Sequence, residues 1–313
     1  MRQRGVALIT AIVVVAIATV LAVRIGTRAA LDLRRTAGLV ALDQGWHVAV
    51  GAEAWAIEVL SDDYKDVRDG KQIDHLAEAW AQPLPPLPVD GGELRGALED
   101  MQGRFNLNNL IGQDRKPDED NVQRFQRLLL LVGAQPRWAG LVADWIDEDS
   151  MPESDGAEDG TYMAQDPPYR TANGPVATTT EMLALPGMTR DEFERIRPYV
   201  AALPPGTPIN LCTAKAPVLA ALAEAGGTEF NEELLTANRK EGCFPTVEFL
   251  PTMVGEALAR KLVNSDAVSE NTNWFRAVTA VRIGTSEFTL YSLINRNSSD
   301  TAIRTVVRST GTE

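Results

Sequence analysis

Hydrophobic positions fall into three regimes along the chain. Residues 6–23 pass without a charge, eighteen in all, a run that matches a membrane-spanning helix of marginal length. From Arg24 onward the apolar residues thin to Leu31, Leu39, Leu42, Trp46, Val50, Ala54, Ile57 and Leu60, with Arg, Asp and Glu between them. Spacings of three to four are those of one helix face, and no proline interrupts before Pro83. The two stretches predict one continuous helix of roughly 55 residues, about 80 Å long at 1.5 Å per residue. Its single Ala-rich stripe suits packing on a sheet better than a coiled coil.

Residues 81–92, AQPLPPLPVDGG, are proline-rich and read as an extended connector, and the alternation over 94–105 predicts a strand pair. Helix-period apolar residues then dominate 120–270, at 121–132, 137–146, 180–185, 190–203, 214–225 and 246–250. Alternation returns over 274–310. Phe275, Val278, Ala280 and Ile283, then Phe288, Leu290, Ser292 and Ile294, then 303–307 predict two or three strands. Strands on both flanks of a helical block predict an α+β chain, one sheet domain with a large insertion.

Composition narrows the function. The 313 residues are 44% hydrophobic, with a net charge of −13, enough for one large domain or two smaller ones. An acidic chain repels phosphate backbones, so no nucleic-acid partner is expected. Only His47 and His75 are available for histidine chemistry. No GxSxG, P-loop, HExxH or Rossmann pattern is present, and no enzyme is predicted. Cys212 and Cys243 have no metal-like spacing. They form one disulfide in an oxidising compartment, or stay two small buried hydrophobes in a reducing one.

The one dense chemical feature is 144–159, where eight of 16 residues are carboxylates. Close carboxylates repel unless a positive charge sits among them. Oxygen-only donors favour a hard cation, Ca²⁺ above Mg²⁺. With Asp147 as position 1, Asp149, Asp155 and Glu158 fall at 3, 9 and 12, as in several EF-hand ligand positions. Met151 and Pro152 break that pattern. Spacing alone leaves a solvated acidic loop equally open.

The N-terminus carries a resemblance. Arg2 and Arg4 precede the apolar run, which holds that end in the cytoplasm. A signal peptide or a plain anchor also begins this way, but no small-residue cleavage site with a polar mature start follows. Arg-Gln-Arg-Gly5 before Val6-Ala7-Leu8-Ile9-Thr10 resembles a type IV prepilin-like leader. That resemblance implies cleavage by prepilin peptidase between Gly5 and Val6, methylation of Val6 and retention of the helix. Pilins and major pseudopilins carry a buried Glu at the fifth mature position, here Thr10. Such a carboxylate needs a partner, and a tip subunit with nothing above it has none to meet.

Gly103-Arg104-Phe105-Asn106-Leu107-Asn108-Asn109-Leu110, and the acidic loop ending Gly156-Ala157-Glu158-Asp159 before Tyr162, resemble the protein K family of type II secretion minor pseudopilins. The resemblance covers nearly the whole chain. It implies the pseudopilin fold, a long N-terminal helix on a small antiparallel sheet, with an inserted helical domain of SAM-like or helix-hairpin-helix-like units. The segments TTTEMLALPGMTRDEFERIRPYVAAL and PINLCTAKAPVLAALAEAG resemble two such units. Leu185-Pro186-Gly187-Met188 resembles a phosphate-contacting hairpin, but Glu181, Asp191, Glu192 and Glu194 around it assign it to helix packing. The expected boundaries are leader 1–5, stalk 6–60, first part of the core 61–105, inserted domain 106–205, second unit 206–270 and closing strands 271–313. The resemblance also implies structural Ca²⁺, with Asp147, Asp149, Glu158 and Asp159 as ligands before Asp155. The implied partners are minor pseudopilins I and J, the pseudopilus and the inner membrane, crossed once with the C-terminal domain in the periplasm. The rival readings are a membrane-anchored periplasmic calcium-binding protein and a minor pilin of a type IV pilus or DNA-uptake system.

Overall fold

A computed structural model describes residues 4–65, 72–223, 231–240, 242–296 and 303–311. The apolar run and the amphipathic stretch form one helix, α1 (Arg4–Lys65), of 62 residues. Among the described residues, every one of 6–23 is exposed, and α1 is the one helix among them long and apolar enough to cross a membrane. Packing begins in the second half, where Gly45 lies under Phe288, Ala49 joins Leu94, Val281 and Leu290, and Leu60 joins Trp80, Phe275 and Ile294.

After a turn of 3-10 helix (Ala79–Ala81), strands β1 (Leu87–Val89) and β2 (Gly92–Asp100) form a hairpin. Gly91 adopts φ +77°, and a Cβ on Gly92 would sit 1.6 Å from the Arg282 carbonyl oxygen, so this corner admits only glycine. The chain then leaves the sheet for the helical insertion. In order this holds β3 (Phe105–Asn106), 3-10 helix Leu107–Leu110, α2 (Glu119–Leu131), α3 (Trp138–Ile146), α4 (Asp159–Tyr162), 3-10 helix Thr179–Ala184, α5 (Arg190–Ile196) and β4 (Val200–Ala201). Then come β5 (Ile209–Asn210), α6 (Ala216–Leu222), α7 (Glu232–Asn238), α8 (Leu250–Val254), α9 (Glu256–Asn264) and β6 (Val268–Ser269). Strands β7 (Trp274–Ile283), β8 (Ser286–Arg296) and β9 (Ile303–Thr310) complete an antiparallel sheet of order β1-β2-β7-β8-β9.

Three local expectations shift. The proline-rich connector supplies β1, and the strand pair expected over 94–105 is β2 alone, paired with β1 and β7 while β3 pairs with β4. The helix expected over 190–203 ends at Ile196, tightens to 3-10 around Pro198 and goes straight into β4, because proline removes the donor that would continue it. Residues 246–249 form turns, and the helix starts at Leu250 with Pro251 in its first turn.

The register fixes where the insertion sits. Gly92 pairs with Ile283, at the level of Gly45 and Phe288, while Asp100 pairs with Phe275, at the level of Leu60. The insertion leaves after Asp100 and returns at Trp274, at the end of the sheet farthest from Val6. Its core is its own, built around Phe105, Phe125, Leu128, Trp138, Tyr162 and Leu219. A buried polar seam joins it to the stalk. Asp100 accepts from Thr213 Oγ1 (2.5 Å), Thr272 Oγ1 (2.7 Å), Asn210 Nδ2 (2.8 Å) and the Gln102 amide (2.7 Å). Beside it Arg296 reaches Asp63 at 2.8 Å and Asp74.

Candidate metal centre

Helix α3 is buried along its whole length, and its last turn folds the acidic loop. Asp144 is fully buried and accepts the Glu153 amide at 3.2 Å with both oxygens. Gly140 and Gly156 permit this: a Cβ on Gly140 would sit 2.6 Å from the Ser154 carbonyl oxygen, and one on Gly156 would sit 2.0 Å from Asp144 Oδ2. The loop therefore doubles back on α3 and returns Glu158 to Asp147, the residue that ends the helix.

There Asp147, Asp149 and Glu158 each place a carboxylate oxygen within 4.8 Å of the others. Asp147 is 1% exposed and Glu158 8%. Asp147 Oδ1, both Glu158 oxygens and the neighbouring Tyr162 hydroxyl are buried without a hydrogen-bond partner. Burial, then the charges of Asp149, Asp144, Glu158 and Glu153, pushes the Asp147 carboxyl up to about 7. Burial likewise pushes Asp144 to about 6 and raises Glu158. Among the described residues, the basic side chains paired with this loop hold its other carboxylates, Arg115 with Glu148 (2.8 Å) and Arg170 with Asp159 (3.7 Å).

A second carboxylate group, Asp63, Asp74 and Glu78, shows the contrast. The Arg296 guanidinium stands between Asp63 and Asp74, and Glu78 accepts from Trp80 Nε1 (2.6 Å) and the His75 amide (2.9 Å). Among the described residues the protein supplies a countercharge there and none to Asp147. Two oxygens on opposite sides of a cation at ~2.4 Å lie ~4.8 Å apart, so one ion can touch all three loop carboxylates. Hard oxygen donors with buried, unanswered charge fit Ca²⁺.

The other expected ligands lie apart from this trio. Asp159 is turned to Thr171, accepting its amide and hydroxyl at 3.1 Å each. Asp155 is exposed, in the left-handed region at φ +64°. Cys212 and Cys243 form a disulfide with Cα atoms 4.6 Å apart. Gly5 and Val6 lie in the first turns of α1, and leader residues 1–3 fall outside the described residues. Thr10 donates within its own helix, to the Val6 (3.1 Å) or Ala7 (3.0 Å) carbonyl.

Sequence reasoning undervalued the asparagine row. Asn106 caps Leu107–Leu110 and also binds the Pro204 carbonyl (2.9 Å) and the Leu203 amide (3.0 Å). Buried Asn108 donates to the Val176 (3.0 Å) and Leu203 (2.8 Å) carbonyls and accepts the Val176 amide (2.8 Å). Asn109 donates to the Thr207 carbonyl (2.8 Å) and accepts the Gly206 amide (2.8 Å). These side chains tie the start of the insertion to loop backbone some 70 to 100 residues later. Three asparagines in four residues was the available signal.

Comparison with known proteins agrees with this architecture. The family model described as type II secretion system (T2SS), protein K matches residues 103–205, from the asparagine row through β4. The type II secretion system protein K of Pseudomonas aeruginosa is 36% identical over 99% of this chain and 93% of its own length. That of Klebsiella pneumoniae is 35% identical over 80% of this chain and 79% of its own. The crystal structure of the GspK-GspI-GspJ complex from the enterotoxigenic Escherichia coli type 2 secretion system contains a chain that superimposes with a TM-score of 0.76. Their identity is 26%, covering 89% of this chain and all of that one. A long helix on an antiparallel sheet split by a helical insertion is the fold of the pseudopilin class, and the chain belongs to the type II secretion system protein K family.

Proposed function

We propose that this protein stands at the tip of a type II secretion pseudopilus. There it assembles with other minor pseudopilins, proteins I and J, to initiate and cap the filament that supports export of folded proteins across the outer membrane. The observation that carries this reading is the insertion's position, beyond Asp100 and Trp274 at the end of the sheet opposite Val6. Bulk at that end blocks a further subunit from stacking above and leaves the stalk free below. Thr10 supports it, because a hydroxyl satisfied by its own helix needs no amine from an outer subunit. The GspK-GspI-GspJ complex of the solved relative supports the partners.

The exposed apolar run of α1 supports a single inner-membrane span, with the head in the periplasm, where a Cys212–Cys243 bridge persists. Prepilin peptidase would cut between Gly5 and Val6, and Val6 would be methylated. Asp147, Asp149 and Glu158 would hold Ca²⁺, which when bound supplies the positive charge that lets the loop stay folded on α3. The role is structural, with no catalytic group assigned. Membership of the protein K family sets aside the anchored calcium-binding protein and the type IV minor pilin as rival readings.

Two measurements test this reading. Intact mass and N-terminal sequence from membranes with and without the peptidase should give a methylated Val6 start only with it, and an unprocessed Met1 start overturns the processing. Gold labelling of a tagged chain on extended pseudopili should mark one end, and label distributed along the shaft overturns the tip position.

A further inference from the structure

The insertion holds a polar cleft outside the acidic loop. It lies between α2 and the α9–β6 turn, with Phe105, Ile209 and Leu222 among its apolar lining. Most of its polar groups are spoken for. Asp118 caps α2 by accepting the Asn121 amide at 2.9 Å, and Asn121 Nδ2 donates to the Asn109 carbonyl at 2.9 Å. Asp120 is ion-paired with Lys261.

Arg124 is the exception. It is 6% exposed, lines the cleft, and has one hydrogen bond, from Nη1 to Asn121 Oδ1 at 2.8 Å. A guanidinium carries five N–H donors, and among the described residues no carboxylate forms an ion pair with this one. Burial holds it below the usual arginine range, although Asp120 and Asp118 pull the other way. Arginine does not shed its proton in proteins. With one hydrogen bond made by Arg124 among the described residues, an anion entering the cleft meets a preformed, partly desolvated fork.

We infer that this cleft binds the carboxylate of an acidic peptide segment, with Arg124 as the forked donor. A carboxylate matches the planar guanidinium in bidentate geometry, which neither Asp118 nor Asp120 supplies to Arg124. Phosphate brings a larger charge toward Asp118 and Asp266, which also border the cleft. The apolar lining gives the rest of a peptide, rather than a bare carboxylate, a surface to bury. This site is independent of the proposed calcium ion and of the tip position.

The test is isothermal titration of the full chain in detergent micelles with acetyl-Leu-Glu-Leu-amide, its Gln counterpart, acetate and inorganic phosphate. The Glu peptide should bind at least tenfold more tightly than the Gln peptide, and Arg124→Met should erase that difference. Arg124→Lys, which keeps the charge but loses the fork, should retain only part of it and serves if the Met variant fails to fold. Lys261→Met should leave the discrimination in place. Equal binding of the two peptides, or unchanged discrimination in Arg124→Lys, overturns the site. Acetate binding as tightly as the Glu peptide overturns the peptide source, and phosphate binding more tightly overturns the carboxylate assignment.

Discussion

Asp147→Asn should stabilise the metal-free protein and destroy its response to calcium. In the metal-free chain Asp147 is buried against Asp149 and Glu158, with Oδ1 unpartnered. Its carboxyl is pushed to about 7, against roughly 3.9 in an unfolded chain, and at 1.36 kcal/mol per unit ionising it at pH 7.5 costs on the order of 2–4 kcal/mol. The amide keeps the shape, removes the charge and offers N–H donors to the neighbouring carboxylates. With calcium the sign reverses. At a concentration 100 times Kd the wild type gains about 2.7 kcal/mol, or roughly 5–10 °C for a domain of this size, while the variant gains little. Differential scanning calorimetry of the full chain in chelator and in millimolar calcium reads both effects. Destabilisation by Asp147→Asn in chelator, or an equal calcium shift in both proteins, would refute the reasoning.

The same carboxylates set a pH dependence. Between about pH 4 and 7 the folded, metal-free chain holds more protons at Asp147 and Asp144 than the unfolded chain, so its stability should rise as pH falls from 7.5 to 5. Calcium binding competes with those protons and should weaken over the same window, readable as a shrinking calcium-induced shift in Tm. Arg296→Met leaves Asp63 and Asp74 facing each other without their cation and should cost about 3–5 kcal/mol; in urea melts, adding Asp74→Asn should recover part of that loss. Asn108→Ala leaves the Val176 and Leu203 carbonyls and the Val176 amide without their partner and should cost about 2–4 kcal/mol. A local rise in amide exchange at Val176, with the sheet strands unaffected, locates the effect.

The sequence by itself determined the features that depend on neighbours along the chain. Charge-free residues 6–23 and the absence of proline before Pro83 dictate one unbroken helix. The alternation from Phe275 to Ile294 dictates strands, because a period of two places every second side chain on the buried face. The acidic loop was legible as a cluster, since eight carboxylates in 16 residues stand out in any register.

Only the tertiary structure decided which of those carboxylates meet. Asp159 and Glu158 are adjacent in sequence, yet Asp159 turns to Thr171 while Glu158 returns to Asp147. That choice is made by Gly140 and Gly156, which let the loop close on α3. Nor could local pattern reveal that Asp63 and Asp74 enclose Arg296, over 200 residues away, while Asp147 has no such cation among the described residues. Spacing is a property of the chain, but the countercharge of a buried group is a property of everything packed against it.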